Sequence, residues 1–274
     1  MRNHKVAIQG GLSSYHDLAA KKYFGEEVDT IECGTFREVC ERIVGNEADF
    51  GVIAIENKIA GSILLNYHLI ENYELKITGE IYLPLEMHLL GKPGAQLNEV
   101  KEVISHPMAI GQSQEFLSSL RNVKVTEYKD TAASAEMIAE RNEIDVAVIG
   151  GPSLAKLHGL DILAENVCDE KNNYTRFYII TKHSDIVAKP DKASISFRLP
   201  DEPGHLYEVL GVFKKYDLNL TKIQSVPIPD VSNRYSFHMD VSFPDEQLLK
   251  QALGELIDSA DHMKILGIYE GAKI

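Results

Sequence analysis

Short apolar runs alternate with amphipathic stretches across the first two-thirds of the chain. Strands are predicted at residues 6–8, 28–31, 50–55, 103–104, 123–125 and 146–149, and helical spacing covers roughly 15–24, 36–46, 108–120 and 132–142. Alternation of this kind predicts mostly parallel sheets covered by helices. Residues 75–90 read as a further strand-like stretch punctuated by Gly79 and Pro84.

The same phrase occurs twice. Thr35 opens a helix with Glu38 three residues on, the spacing of a capping box, and that helix ends in Asn46-Glu47-Ala48-Asp49 before Phe50-Gly51-Val52-Ile53. Thr131 opens a second helix that ends in Asn142-Glu143-Ile144-Asp145 before Val146-Ala147-Val148-Ile149. Both offsets are 96 (131−35 and 145−49), and Ile8 maps onto Ile104 by the same shift. The repeat predicts two similar α/β lobes, lobe one about 1–80 plus 175–182 and lobe two about 81–174. Open α/β sheets bind ligands at the carboxyl ends of their strands, so the loops after Ile8, Ile55 and Ile104 are the expected sites. Two crossings between lobes, at 75–90 and 175–181, predict a hinged cleft with Thr175 and Arg176 at its base.

The last third has a different rhythm. Residues 183–191 lack a sustained helical period, end in a Pro-Asp pair and read as a linker. Beyond them Ile195, Phe197 and Leu199 share one face of a strand, a helix is predicted from about 204 to 216, and 218–226 follows as a strand. The alternation Tyr235-Ser236-Phe237-His238-Met239-Asp240-Val241, a helix near 246–259 and a last strand at 264–269 complete the order βαββαβ over 192–274. That order is ferredoxin-like.

Composition narrows the classes. The 274 residues, 44% of them hydrophobic, suffice for two domains with real cores, and a formal charge of −13 argues against nucleic acid or an anionic membrane as partner. No apolar run is long enough to span a bilayer, and the one after Met1 is too short for a signal peptide. Cys33, Cys40 and Cys168 are odd in number and match no metal spacing, which predicts reduced thiols in a cytoplasmic protein without a metal site.

The densest chemistry lies in Asn172-Asn173-Tyr174-Thr175-Arg176-Phe177, running into the apolar Tyr178-Ile179-Ile180. A hydroxyl beside a permanent cation at the mouth of a buried strand combines proton donation with anion binding, as dehydration of a carboxylate-bearing substrate requires. Taken with three other stretches, it carries a family resemblance: Ile55-Glu56-Asn57-Lys58-Ile59-Ala60-Gly61-Ser62, Ser105-His106-Pro107 with Gln112, and Asp130-Thr131-Ala132-Ala133. In this order and spacing the chain resembles the prephenate dehydratases that carry a C-terminal ACT regulatory domain, almost end to end.

The resemblance implies a catalytic part, 1–182, of two α/β lobes around a cleft, like periplasmic binding proteins, followed by a ferredoxin-like ACT domain. It also implies conversion of prephenate to phenylpyruvate with release of carbon dioxide and water, with no cofactor. No chorismate mutase domain is expected, since the first strand begins within a few residues of Met1. Thr175 is the implied donor to the departing hydroxyl. Arg176 is expected to brace a substrate carboxylate or to order the cleft wall, with buried pairing to Glu56 as the alternative. Asn57 and Gln112 are implied neutral donors in the cleft, the alternatives being a turn residue and a solvated helix position. Ser14, Glu56, Gly61, Ser62, Ser105, His106 and Phe177 are implied substrate-lining residues. Ser62 reads first as a helix cap, and His106 more as a loop-orienting residue than as an acid. His16, Lys58 and Met108 depart from the family pattern, the first two adding potential positive charge near the cleft.

In the tail, Gly204, His205, Leu206 and Tyr207 resemble the family's effector turn, with Asn219, Leu220, Gln224, Ser225 and Pro227 as the facing segment. The usual Glu-Ser-Arg-Pro reads Gln224-Ser225-Val226-Pro227, so the two charges are lost. L-phenylalanine is the implied allosteric effector, and a homodimer or homotetramer the implied assembly. Two other readings stay open: an arogenate dehydratase, and a non-catalytic two-lobed amino-acid sensor.

Overall fold

The computed structural model describes residues 4–183, 189–228, 235–257 and 261–273. Most of the predicted linker, 184–188, lies outside them. The elements begin β1 (Lys5–Gln9), α1 (Tyr15–Phe24), β2 (Asp29–Cys33), α2 (Phe36–Val44), β3 (Phe50–Asn57), β4 (Gly61–Ser62), α3 (Leu64–Asn72) and β5 (Lys76–Pro84). They continue β6 (His88–Gly91), β7 (Glu102–Ser105), α4 (Pro107–Gly111), α5 (Gln114–Ser119), β8 (Lys124–Glu127), α6 (Thr131–Glu140), β9 (Val146–Gly150), α7 (Pro152–His158), β10 (Asp161–Ala164) and β11 (Tyr174–Thr181). The last are β12 (Lys192–Arg198), α8 (His205–Lys215), β13 (Asn219–Pro227), β14 (Tyr235–Ser242), α9 (Glu246–Leu256) and β15 (Asp261–Tyr269). Among the described residues no helix is long and apolar enough to cross a membrane.

The 96-residue repeat is visible in the elements. Helices α2 and α6 end at residues 44 and 140, and strands β3 and β9 begin at 50 and 146, both 96 apart. The parallel pair β1–β2 has its counterpart in the parallel pair β7–β8.

The chain divides into two compact units. The first comprises Met1–Thr35, Glu56–Gly61 and Leu83–Thr175. Its five-stranded sheet has the order β10-β6-β9-β7-β8, with β7 parallel to β8 and β9, and β6 antiparallel to β9 and β10. Central strand β9 is apolar without interruption because both faces are covered. Ala147 and Ile149 enter a core with Leu89 and Val103, while Val146 and Val148 enter one with Leu90, Ile104 and Ile138. The predicted helix 108–120 is two helices, α4 and α5. Asp169 accepts hydrogen bonds from the backbone N–H of Gln114 (2.9 Å) and Glu115 (3.0 Å), replacing the bonds a continuous helix would make. The stretch 75–90 likewise splits into β5 and β6.

The second unit comprises Phe36–Ile55, Ser62–Tyr82 and Arg176–Ile274. Strands β3, β11 and β5 are neighbours in that order, and the tail forms a four-stranded sheet, β13-β14-β12-β15, in the predicted βαββαβ connection. One face of that sheet buries Ala193, Ile195, Phe197, Met239 and Val241 against α8 and α9. The other face is polar and also buried. Lys192, Ser194, Ser196, Ser236, His238 and Asp240 are all under a tenth exposed. Gly267 in β15 lies so close to β5 that an added Cβ would strike the Ile77 carbonyl.

The buried polar face centres on Arg176. Its Nε donates to Glu80 Oε2 (2.7 Å), Nη2 also reaches Glu80, and Nη1 pairs with Asp240 (2.5 Å). Lys192 Nζ pairs with the other Glu80 oxygen at 2.7 Å, so two cations face two carboxylates. Tyr178 donates to Asp240 (2.9 Å) and so does Ser194 (2.6 Å). Burial opposes ionisation of Asp240, but Arg176, Lys222, Lys192 and the Ser194 hydrogen bond together outweigh it and hold the carboxyl below its ordinary range. Removing one member leaves an uncompensated charge in a dry interior. Glu80→Gln is therefore expected to lower unfolding free energy by about 3–5 kcal/mol in chemical denaturation. A loss below about 1 kcal/mol, as for an exposed pair, would contradict the buried network.

Candidate active site

Asn57, the last residue of β3, begins the turn that precedes β4. Its Oδ1 accepts from the backbone N–H of Ile59 (3.1 Å) and Ala60 (2.9 Å). Backbone N–H groups only donate, so these bonds fix which side of the amide carries oxygen. The Nδ2 group must then face the other way, where it donates to Thr175 Oγ1 (3.1 Å), Asn173 Oδ1 (3.0 Å) and the Tyr174 carbonyl (3.2 Å).

Two further amides close a ring. Asn173 Nδ2 donates to Gln112 Oε1 (3.1 Å), and Gln112 Nε2 donates to Asn57 Oδ1 (3.2 Å). Each of the three side chains thus gives one hydrogen bond and receives one around the cycle. All are nearly inaccessible, as is Thr175: Asn57 is 5% exposed, Gln112 6%, Asn173 2% and Thr175 8%. Three neutral amides orient a hydroxyl here without burying a charge. Because Thr175 Oγ1 receives a hydrogen bond from Asn57, its own hydrogen points away from that amide and is left to donate outside the ring. An accepted hydrogen bond also polarises the O–H and makes it a stronger donor.

Asn57 is therefore both a turn residue and a member of the cluster, and Gln112 is a buried C-cap of α4 rather than a solvated position. Asn173 is a residue the sequence reading passed over, although it stands in the quoted stretch before Thr175. Its signal was an amide two residues ahead of the hydroxyl, just before the strand begins and in step with its alternation.

Arg176 is not part of this cluster. Side chains alternate along β11, and the guanidinium belongs to the second unit, where Glu80 and Asp240 occupy it. Glu80 and Asp240 are the carboxylates that hold it in this unit. Phe177 is core in the same unit, at 1% exposure. Ser62 is not a helix cap: Gly61–Ser62 is strand β4, paired with β3, and α3 starts after Ile63 with no side-chain cap.

The other lining residues serve local structure first. Ser14 caps α1, accepting from Asp17 N–H at 3.3 Å, and Ser105 donates to the Ile149 carbonyl at 2.7 Å. His106 is the N-cap of α4, its Nδ1 accepting from Met108 N–H at 3.2 Å. That role requires a neutral ring protonated on Nε2, and burial lowers its pKa accordingly. Glu56 is half-buried, and Gly61 takes the left-handed conformation, φ 78°. Lys58 does sit beside the cluster, its Nζ 2.9 Å from the Asn172 carbonyl and 5.9 Å from the Tyr174 ring centre. His16 does not supply the expected charge, since burial pushes its pKa down to about 4.

A larger cavity of about 690 Å³ in the same unit is lined by Gly10, Gly11, Glu32, Lys129, Asp130 and Glu136, among others. The three cysteines are buried and in no disulfide, and no cluster suited to a metal ion occurs among the described residues. Of the tail residues, His205 and Leu206 line a cavity of about 140 Å³ with Leu199, Tyr235 and Phe237. Gly204 caps α8 in the left-handed conformation (φ 98°), Tyr207 is 80% exposed, and Asn219, Leu220, Gln224, Ser225 and Pro227 lie along β13.

The family described as prephenate dehydratase matches residues 6–185. The chloroplastic arogenate dehydratase/prephenate dehydratase 1 of Arabidopsis thaliana is 36% identical over 283 residues, covering 97% of this chain and 71% of that protein. A bifunctional chorismate mutase/prephenate dehydratase of Aquifex aeolicus is 34% identical over 270 residues, covering 98% and 74%. The solved structure of a prephenate dehydratase from Arthrobacter aurescens in complex with L-Phe aligns with a TM-score of 0.88 at 27% identity, covering 97% of this chain and 90% of that one.

The depressed pKa of His16 has a consequence for stability. The unfolded value is near 6.5 and the folded value about 4, so the contribution is complete above pH 6.5 and is lost as pH falls toward 4. Denaturation at pH 5 is expected to show a loss of about 2 kcal/mol relative to pH 7 from this residue, and His16→Gln should flatten that part of the profile. An unchanged pH dependence in the variant would count against a buried neutral imidazole.

Proposed function

The chain belongs to the prephenate dehydratase family, and from that premise we propose that it converts prephenate to phenylpyruvate with Thr175 as the donor to the departing hydroxyl. The observation that carries this reading is the Asn57–Asn173–Gln112 ring, which leaves one hydroxyl hydrogen available on Thr175. As the ring carboxylate leaves as carbon dioxide, its bonding electrons enter the ring and expel the hydroxyl on the opposite carbon. The leaving oxygen takes a proton and departs as water, and aromatisation drives the step. The protein contributes the aligned donor and fixed dipoles around the developing charge.

An ordinary alcohol is a weak acid, so Thr175 acts where negative charge develops on the leaving oxygen and its O–H is polarised by Asn57. Lys58 is the cation we assign to a substrate carboxylate. His106, carrying its proton on Nε2, is the neutral donor assigned to the same end of the substrate, with Ser14, Glu56, Gly61, Ser62 and Ser105 shaping the surrounding loops.

The tail is proposed to be an ACT domain that takes L-phenylalanine at the turn around Gly204, His205, Leu206 and Tyr207 and along β13, in a homodimer or homotetramer. Its βαββαβ order and the cavity beside His205 support that reading, as does the likeness to a relative solved with L-Phe.

Thr175→Ala is expected to lower kcat on prephenate by roughly 10²–10⁴, followed by phenylpyruvate absorbance, while Thr175→Ser retains most of it. Near-normal turnover in the alanine variant would remove the hydroxyl from the mechanism. Arogenate in the same assay, with phenylalanine as the measured product, decides substrate choice; a higher kcat/KM for arogenate would replace prephenate in the proposal. Added L-phenylalanine should slow the intact protein, and an unaffected rate would remove the effector assignment.

A further inference from the structure

Strand β11 carries Thr175 in the amide ring and, one residue later on the opposite face, Arg176 in the buried network. The guanidinium is shared between Glu80 of β5 and Asp240 of β14, so a residue of the tail sheet directly holds the strand that presents the hydroxyl. Tyr178, two residues further along β11, donates to both Asp240 oxygens at 2.9 and 3.0 Å, giving β11 two attachments to one carboxylate.

The other end of β14 reaches the cavity beside His205. Tyr235 and Phe237 line that cavity, and Asp240 lies three residues on from Phe237, roughly 10 Å at the rise of a strand. Strand β13 pairs with β14 at the same place, Lys222 opposite Asp240. A register shift occurs between Leu220 and Lys222, and Thr221 Oγ1 donates to the Asp240 carbonyl at 3.3 Å. Side chains on β13 therefore bear on the backbone that positions Asp240.

A well-packed apolar interface would join these strands at least as stably as an ion network does. Directional bonds differ from apolar packing in fixing register: a guanidinium fork held by two carboxylates from different strands has one arrangement, and displacement of either strand breaks it. We propose that Arg176 is a positioning residue, held by Asp240 and Glu80, through which the tail sheet sets the placement of Thr175 and so the rate of the chemical step. This rests on the proposed dehydratase activity and phenylalanine effect, and it assigns the route between them. A ligand that shifts β13 or β14 is then read at Thr175 through Asp240 and Arg176. Such a coupling is established by measuring both sites together.

The test uses the intact chain and two variants, Asp240→Asn and the milder Tyr178→Phe, each checked for native circular dichroism. Phenylalanine binding is measured by calorimetry, and kcat and KM for prephenate are measured with and without saturating phenylalanine. Both variants are expected to bind phenylalanine within about 3-fold of the wild type and to keep KM within about 3-fold. Both should lose most of the inhibition of kcat, Asp240→Asn more than Tyr178→Phe, with kcat itself falling on the order of 10-fold in Asp240→Asn. If Asp240→Asn does not fold, Tyr178→Phe decides alone. Folded variants inhibited to the same fraction as the wild type, with unchanged kcat, would overturn the coupling while leaving the dehydratase reading intact. A wild type that neither turns over prephenate nor responds to phenylalanine would remove the functional reading itself, and this inference with it.

Discussion

Successive side chains of a β-strand leave on opposite faces, and β11 uses that constraint at its first residues. Asn173 and Thr175 enter a ring of neutral amides, whereas Arg176 enters a compensated cluster of charges. A shift of one residue in this strand would put a guanidinium among the amides and a hydroxyl opposite Glu80. It would leave buried charges unpaired on one face and orphaned amides on the other. Register is thus specified from both faces at once, and the position of one hydroxyl follows from it.

The two faces use different chemistry for different ends. The amide ring needs no counter-charge, so a donor can be aimed at a leaving group without first being captured by a carboxylate. The charged face balances Arg176 and Lys192 against Glu80 and Asp240 and fastens strands β5, β11, β12 and β14 to one another. A protein with a strong excess of acid over base, −13 overall, thereby keeps two of its cations fully buried in a structural role.

Much of this was legible in the sequence where the periodicity was clean. The 96-residue repeat and the βαββαβ order of the tail both appear as read, because apolar runs and capping residues mark element ends locally. The structure brings the Asn57, Gln112 and Thr175 side chains, far apart in the sequence, into one cluster. The role of Arg176 was not legible. A cation beside a hydroxyl suggests an anion site, and nothing local reveals that Glu80, 96 positions earlier, and Asp240, 64 positions later, would capture it. Ser194, Ser236, His238 and Asp240 alternate with apolar residues along β12 and β14, and nothing local reveals that their polar side is buried too. Asn173 was not legible either, since nothing local marks that amide as a partner of Asn57 and Gln112.

The central claim is that Asn57 acts through Thr175 by donating to its oxygen. A double-mutant cycle on kcat tests it most directly, pairing Asn57→Asp, which keeps the acceptor for Ile59 and Ala60 but lacks the Nδ2 donor, with Thr175→Ala. The account predicts strong non-additivity, with Asn57→Asp changing kcat by less than about 3-fold once the hydroxyl is gone. Independent effects that multiply in the double variant would contradict it.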